Sequence, residues 1–346
     1  MPNVLNKKWR RLHLEKLSLL LAVLLLVWAF RQVSLQQVFV VLARFHWSGI
    51  LILIFVNVTI ELLMGSRWWV LIQAIGYKVK YLPIAAYRVA SFAVSYFTPG
   101  PQFGGEPLQV YLLKKKYDMS VSAATASVTL DKLFELFFNF SFLTFGMSFI
   151  VFGKYSSENF LGMKALFFVV LISTVPIAAL VLLWSGRKPF SFIVRVAESI
   201  ARIFNIQPGV VNKFKNMIAA VEDQAIQMFH RNSSGLIYAL FFSFILLAGG
   251  LLEFWLLFYF LGLSLSPIQL VILMTAARLA FLMPLPAGLG TLEASQIISL
   301  KIMGLDPTVG FTACIVIRIR DLFFGTIGLI LAGLALRNTK STVLTQ

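Results

Sequence analysis

Cysteine, histidine and acidic side chains are scarce in this sequence, and each scarcity closes off a class of function. One cysteine, Cys314, permits neither a disulfide framework nor a cysteine-based metal site. The three histidines, His13, His46 and His230, are scattered without metal-ligand spacing, so no metal or other cofactor is expected. Charged residues make up 13% of the chain, against roughly 25% in soluble globular proteins. That excludes a water-soluble globular fold. The space is filled instead by apolar residues: 59% of the chain, including 33 Phe, with a mean hydropathy of +0.86. The 30 Lys and Arg outnumber the 14 Asp and Glu, giving a net charge of +16. This excess does not imply nucleic acid, because the basic residues lie between apolar runs. An anionic membrane surface accounts for them there.

Six apolar runs are long enough to be read as spanning helices. Leu17–Phe30 follows a basic arm (Lys7, Lys8, Arg10, Arg11, Lys16), and with no small-x-small cleavage site after it the run reads as an uncleaved first span. Trp47–Met64 is the second, interrupted by Glu61, with Arg67-Trp68-Trp69 as a basic and aromatic interface anchor. Val121–Phe152 and Lys164–Trp184 are the third and fourth, the latter with Pro176 as a kink; Leu236–Leu261, which contains Glu253, and Thr308–Leu336 are the fifth and sixth. Between the fourth and fifth spans, Arg187–Arg231 carries an apolar stripe at Phe192, Val196, Ile200, Ile203, Val210, Phe214, Met217, Val221 and Met228. That spacing makes amphipathic helices of a kind that lie on an anionic membrane face.

Two further apolar stretches are too short to cross, and both are broken by Pro and Gly. The first break is Pro99-Gly-Pro101-Gln-Phe-Gly104-Gly105-Glu106, between Ile84–Thr98 and Pro107–Leu113. The second is Pro284-Leu-Pro286-Ala-Gly288-Leu-Gly290-Thr-Leu-Glu293, between Ile268–Met283 and Leu292–Ile302. An arm of 15 residues such as Ile84–Thr98 is about 22 Å as a helix, short of a hydrocarbon core of about 30 Å. Each pair of arms therefore reads as a re-entrant hairpin. Irregular backbone at membrane depth needs protein or a wet cavity around it, so the tips should line one.

The two breaks belong to a duplication. Glu106 is followed after 26 residues by Lys132, with Glu135 one turn on; Glu293 is followed after 25 by Arg318, with Asp321 one turn on. Repeat one, 47–152, is span, hairpin, span, and so is repeat two, 235–337. Three crossings separate their starts, so the second copy is upside down relative to the first. An inverted repeat suits alternating access to a site near the midplane. Of the 30 basic residues, 21 fall on one side if the N-terminus is inside, and both termini are then cytoplasmic in a plasma (inner) membrane.

Glu106, Lys132, Glu135, Glu293, Arg318, Arg320 and Asp321 are the costly residues, since an isolated charge at the bilayer centre costs roughly 2.5–3.5 kcal/mol on insertion scales. Pairing is required of them. The matched spacings expect Glu106 with Lys132 and Glu293 with Arg318, while Lys132/Glu135 and Arg318/Asp321 share helix faces. Gly104, Gly105, Gly288 and Gly290 let backbone N–H groups approach an anion at the start of the next half-helix. Such pairs can pin the hairpins, or they can bind a substrate; a clamp alone needs no second, inverted copy. Glu61 and Glu253, with no motif around them, read as structural or interfacial.

PGPQFGGEPLQVYLL at Pro99–Leu113, LDKLFE at Leu130–Glu135, PLPAGLGTLEA at Pro284–Ala294 and IRIRD at Ile317–Asp321 resemble the signatures of the transmembrane region of lysylphosphatidylglycerol synthase/flippase proteins. The resemblance implies a flippase for an aminoacylated phospholipid, separate from the soluble domain that makes it. It also implies a stand-alone member, to which lysyl transfer is not carried over. Gln109 stands where many members of that family have Arg, which weakens an identical grip on phosphate. The expectation is therefore a single all-α polytopic membrane domain with six spans and two re-entrant hairpins, moving a polar or charged lipid. Its partners would be anionic membrane lipids and a lipid-modifying enzyme. Two alternatives stand beside it. One is a membrane enzyme on a lipid head group, disfavoured because no nucleophile, metal set or nucleotide loop accompanies the carboxylates. The other is a scaffold presenting Arg187–Arg231.

Overall fold

The computed structural model describes residues 24–98, 104–153, 160–190, 194–195, 198–199, 208–283 and 285–340. Among them all regular structure is helical. The order is α1 (Leu24–Arg31), α2 (Leu35–Leu42), α3 (Trp47–Ala74), α4 (Tyr81–Phe97), α5 (Glu106–Tyr117), α6 (Val121–Phe152), α7 (Phe160–Trp184), α8 (Pro208–Arg231), α9 (Ser233–Phe260), α10 (Pro267–Leu282), a single 3-10 turn (Pro286–Gly288), α11 (Thr291–Ile302) and α12 (Pro307–Lys340). A long helix, two short ones and a long one thus occur in both halves. This is an α-helical membrane protein. Four described helices are long and apolar enough to cross a bilayer: α3, α6, α7 from Gly162, and α9.

The other two expected spans are not among these four. Half of Leu17–Phe30, and the basic arm before it, lies outside the described residues. Its visible end, α1, bends by 78° into α2, and only together do they make a fifth span. The bend packs Ala29, Val33 and Val38 against Ile297 and Phe311 of the second half. Thr308–Leu336 lies inside α12, which at 34 residues is long enough but carries Arg318, Arg320 and Asp321 in its middle.

Two residues expected at a membrane interface are buried. Trp47–Met64 does not end near Met64; the helix continues to Ala74 and takes Arg67 and Trp68 into the interior, at 2% and 0% exposure. The Trp68 indole N–H donates to Ser127 Oγ at 3.3 Å, and Arg67 meets an acid on α6.

The amphipathic segment also differs in part. Phe192, Val196, Ile200, Ile203 and Arg202 lie outside the described residues. Within α8, Val221, Ala225 and Met228 are buried. Ala225 and Met228 enter a protein cluster with Leu133, Ala179 and Leu183. That part of the stripe is spent on α6 and α7 rather than on lipid. Glu222 Oε1 accepts from the Phe190 N–H at 2.6 Å, and Lys188 meets Asp223 at 2.7 Å, tying the end of α7 to α8.

The halves interlock through small residues, which let membrane helices approach closely. A Cβ on Gly328 of α12 would fall 2.4 Å from Val89 O of α4, and one on Gly146 of α6 would fall 1.8 Å from Thr275 Oγ1 of α10. The first short arm of each half therefore packs on the last long helix of the other.

Candidate functional site

Each break is closed by its own carboxylate. Pro99 and Pro101 lie outside the described residues, as does Pro284. In the first tip the Gly104 N–H donates to Glu106 Oε2 at 2.8 Å, and the Gly105 N–H donates to Ser95 Oγ of α4 at 2.9 Å. Gly105 is required by space: a Cβ there would sit 2.0 Å from Ser91 O. In the second tip the Gly290 N–H donates to Glu293 Oε2 at 2.8 Å. Here the backbone itself demands glycine, with φ of +62° at Gly288 and +79° at Gly290, and Ala287 is drawn to +49° between Pro286 and Gly288. The anion that the Gly104 and Gly290 N–H groups meet is thus the chain's own glutamate.

The expected hairpin-to-helix pairs form. Lys132 Nζ lies 3.4 Å from Glu106 and 3.0 Å from Glu135. Arg318 Nε lies 3.1 Å from Glu293 Oε1, and its other nitrogens donate to Ala287 O and, at 3.0 Å, to Gly288 O. The expected facing of Arg318 and Asp321 does not become a pair. Asp321 Oδ1 accepts from Arg320 Nη2 at 2.7 Å instead, and Arg320 reaches across to Glu253 on α9. Arg318 cannot serve both, because its guanidinium is occupied by the tip.

Three charged residues of the site escaped the sequence reading. Arg67 Nε meets Asp131 Oδ1 at 2.7 Å, Arg88 Nη2 meets Glu135 Oε2 at 3.0 Å, and Arg88 Nε lies 3.9 Å from Asp131. Arg67 and Arg88 are among the 21 basic residues placed on the cytoplasmic side by the charge count; both are buried. The available signal was Asp131 next to Lys132: two acids and one lysine on α6 require a cation from elsewhere. Ser243 of α9 accepts from Arg67 at 3.4 Å, so this first network also touches the second half.

Between the networks lies a cavity of about 190 Å³, lined by Asn57 and Glu61 of α3, Arg88, Ser95 and Tyr96 of α4, Lys132 and Glu135 of α6, Glu253 of α9, and Arg320, Asp321 and Phe324 of α12. Glu253, read as structural, is a wall of this cavity. An apolar groove of about 390 Å³ between α2, α3, α9 and α12 shares Asn57, Glu253, Arg320 and Phe324 with it. A second, largely apolar groove of about 630 Å³ between α5 and α6 shares Lys132 and is also lined by Glu106 and Lys114. A polar chamber opening onto apolar grooves can take an amphipathic molecule, with its head among the charges and its chain along the helices. No group of three or more His, Cys, Asp or Glu with metal-binding arrangement occurs among the described residues.

The chain's relatives are membrane proteins of the same kind. The pattern of the lysylphosphatidylglycerol synthase transmembrane region matches residues 16–328. The chain belongs to that family. It is similar to a UPF0104 membrane protein of Methanocaldococcus jannaschii, 21% identical over 317 residues that cover 89% of this chain and 91% of the relative. A UPF0104 membrane protein of Methanothermobacter thermautotrophicus is 23% identical over 269 residues, covering 74% of this chain and 76% of that one.

Proposed function

We propose that the chain is a flippase or transporter of the plasma membrane that carries a lipid with a polar, anionic head group. The observation that carries the reading is the polar cavity joined to apolar grooves: one molecule with a charged head and a hydrocarbon chain matches both at once. Arg88, Lys132 and Arg320 would meet the head group; Glu135, Glu253 and Asp321 hold those cations in place when the cavity is empty. The two tips, each with its Glu, would be re-entrant hairpins of an inverted repeat, with both termini cytoplasmic, and would open the cavity to one face at a time. The cations already sit on acids, so an arriving phosphate exchanges one ion pair for another. That keeps binding weak enough for release.

The test is movement of a lipid between leaflets. Purified protein in phosphatidylcholine vesicles containing head-group-intact, chain-labelled phosphatidylglycerol should expose the inner-leaflet label to an impermeant quencher faster than protein-free vesicles. Arg320→Gln should lose most of that acceleration. Equal quenching kinetics with and without protein would end the proposal.

A further inference from the structure

Of the carboxylates in the polar cavity, one does not fit the pairing that organises the others. Glu61 sits in the middle of α3, a helix long and apolar enough to cross the membrane. Its Oε2 is buried and has no hydrogen-bond partner, and no ion pair reaches it among the described residues. The groups facing it come from every helix around the cavity: Arg88 and Tyr96 of α4, Lys132 and Glu135 of α6, Glu253 of α9, Arg320 and Asp321 of α12.

The cations among these are committed. Arg88 lies 3.0 Å from Glu135, Lys132 bridges Glu106 and Glu135, and Arg320 holds Glu253 and Asp321. With Glu61 ionised, the lining has four carboxylates against three cations; with Glu61 neutral, it balances. With its Oε2 buried and unpartnered and every cation of the lining held by another acid, Glu61 leaves the lining balanced only as the neutral carboxyl.

We infer that Glu61 is a proton-binding site in the transport path, and that the cavity adopts the arrangement seen here only with a proton on that residue. The chemistry is one reversible step: the carboxylate takes a proton from water when the cavity is open, and the acid returns it when the cavity opens again. An anionic head group strengthens the requirement. It draws on Arg88, Lys132 and Arg320, leaving still less positive charge for an ionised Glu61. Passage of the head group therefore slows as pH rises and the proton is lost. The inference rests on the lipid-transport reading for its consequence, but not for the proton site itself.

Two measurements test it, and they fail separately. In the vesicle assay with labelled phosphatidylglycerol, the native rate should fall with rising pH, approaching about tenfold per unit beyond the titration, as one proton requires. Glu61→Gln, an isosteric mimic of the acid, should move the probe with no such dependence. Independently, infrared spectra of the purified native protein should show a protonated-carboxyl band that titrates away at alkaline pH and is missing in Glu61→Gln. An unchanged band in the variant overturns the proton site, as does the same pH profile in both proteins. A response to sodium at constant pH that Glu61→Gln removes would also overturn it in favour of a metal cation. Absence of any lipid movement in the native protein would instead remove the transport reading, with the infrared band still deciding the proton site.

Discussion

The two hairpin tips carry the same parts and hold them differently. In the second, one arginine serves the whole turn: Arg318 binds the Glu293 carboxylate and the carbonyls of Ala287 and Gly288 together. In the first, Lys132 divides a single ammonium between Glu106 and Glu135 and also walls the cavity. The side chains follow suit, at 7% and 14% exposure for Glu293 and Arg318 against 25% and 19% for Glu106 and Lys132. A planar five-donor fork fixes a geometry, whereas a flexible ammonium permits several. Under the proposed transport function, the second tip is suited to holding and the first to moving. The contacts of Arg318 pin the second tip, whereas Lys132 of the first also lines the cavity.

The largest expected effect is the cost of breaking the second tip. Arg318→Gln leaves Glu293 buried without its cation and two carbonyls without their donor, and should destabilise the detergent-solubilised protein by about 3–5 kcal/mol. Adding Glu293→Gln should recover much of that. Lys132→Gln should cost less, about 1–2 kcal/mol, since Glu106 keeps the Gly104 N–H and Glu135 keeps Arg88. Its transport loss should be the greater of the two in molecules that remain folded. Thermal unfolding and the vesicle assay, run on the same preparations, decide the matter. Equal unfolding losses for the two substitutions would erase the distinction between the tips.

Much of this contrast was not legible in the chain. The Pro/Gly breaks, the glutamates and the 26- and 25-residue spacings were enough to anticipate both tip pairs, because helical periodicity and the cost of an unpaired charge leave few partners. Arg67 and Arg88 were missed for the opposite reason. Arg67 sits just past an apolar run, where a cation ordinarily marks the interface, Arg88 sits inside a short one, and only the packing of α3 and α4 on α6 brings Asp131 and Glu135 to them. Local pattern could not have shown that Arg320, rather than Arg318, takes Asp321. That outcome depends on Glu253 arriving from α9. At the two ends the six-span reading is met only in part: α1 and α2 divide at a bend, and α12 is long enough to cross but carries three charges in its middle.

Glycine substitutions probe the tips at a smaller scale. Gly105→Ala puts a methyl into Ser91 O and must push the first tip off α4, breaking the Gly105 N–H bond to Ser95. Gly290→Ala instead imposes a left-handed backbone on alanine, a cost of roughly 1 kcal/mol in an otherwise intact tip. We expect Gly105→Ala to lower transport severalfold with a modest fall in thermal stability, and Gly290→Ala to lower stability with transport largely kept. A larger transport loss from Gly290→Ala than from Gly105→Ala would assign the moving part to the second tip.

Salt should separate the tips by the smallest margin. Raising ionic strength from 0.1 M to 1 M shortens the Debye length from about 10 Å to about 3 Å, and it weakens only pairs that water and ions can reach. Glu106 and Lys132 border a groove and are partly exposed; Glu293 and Arg318 are enclosed by the turn they bind. A double-mutant cycle on unfolding free energies isolates each pair from the background of salt on the rest of the protein. The Glu106–Lys132 coupling should shrink by a few tenths of a kcal/mol between the two salt concentrations, within the range of partly exposed ion pairs. The Glu293–Arg318 coupling should stay constant. Equal salt sensitivity in both cycles would mean that water reaches the second tip as freely as the first, and the division between a tip that holds and a tip that moves would lose its physical basis.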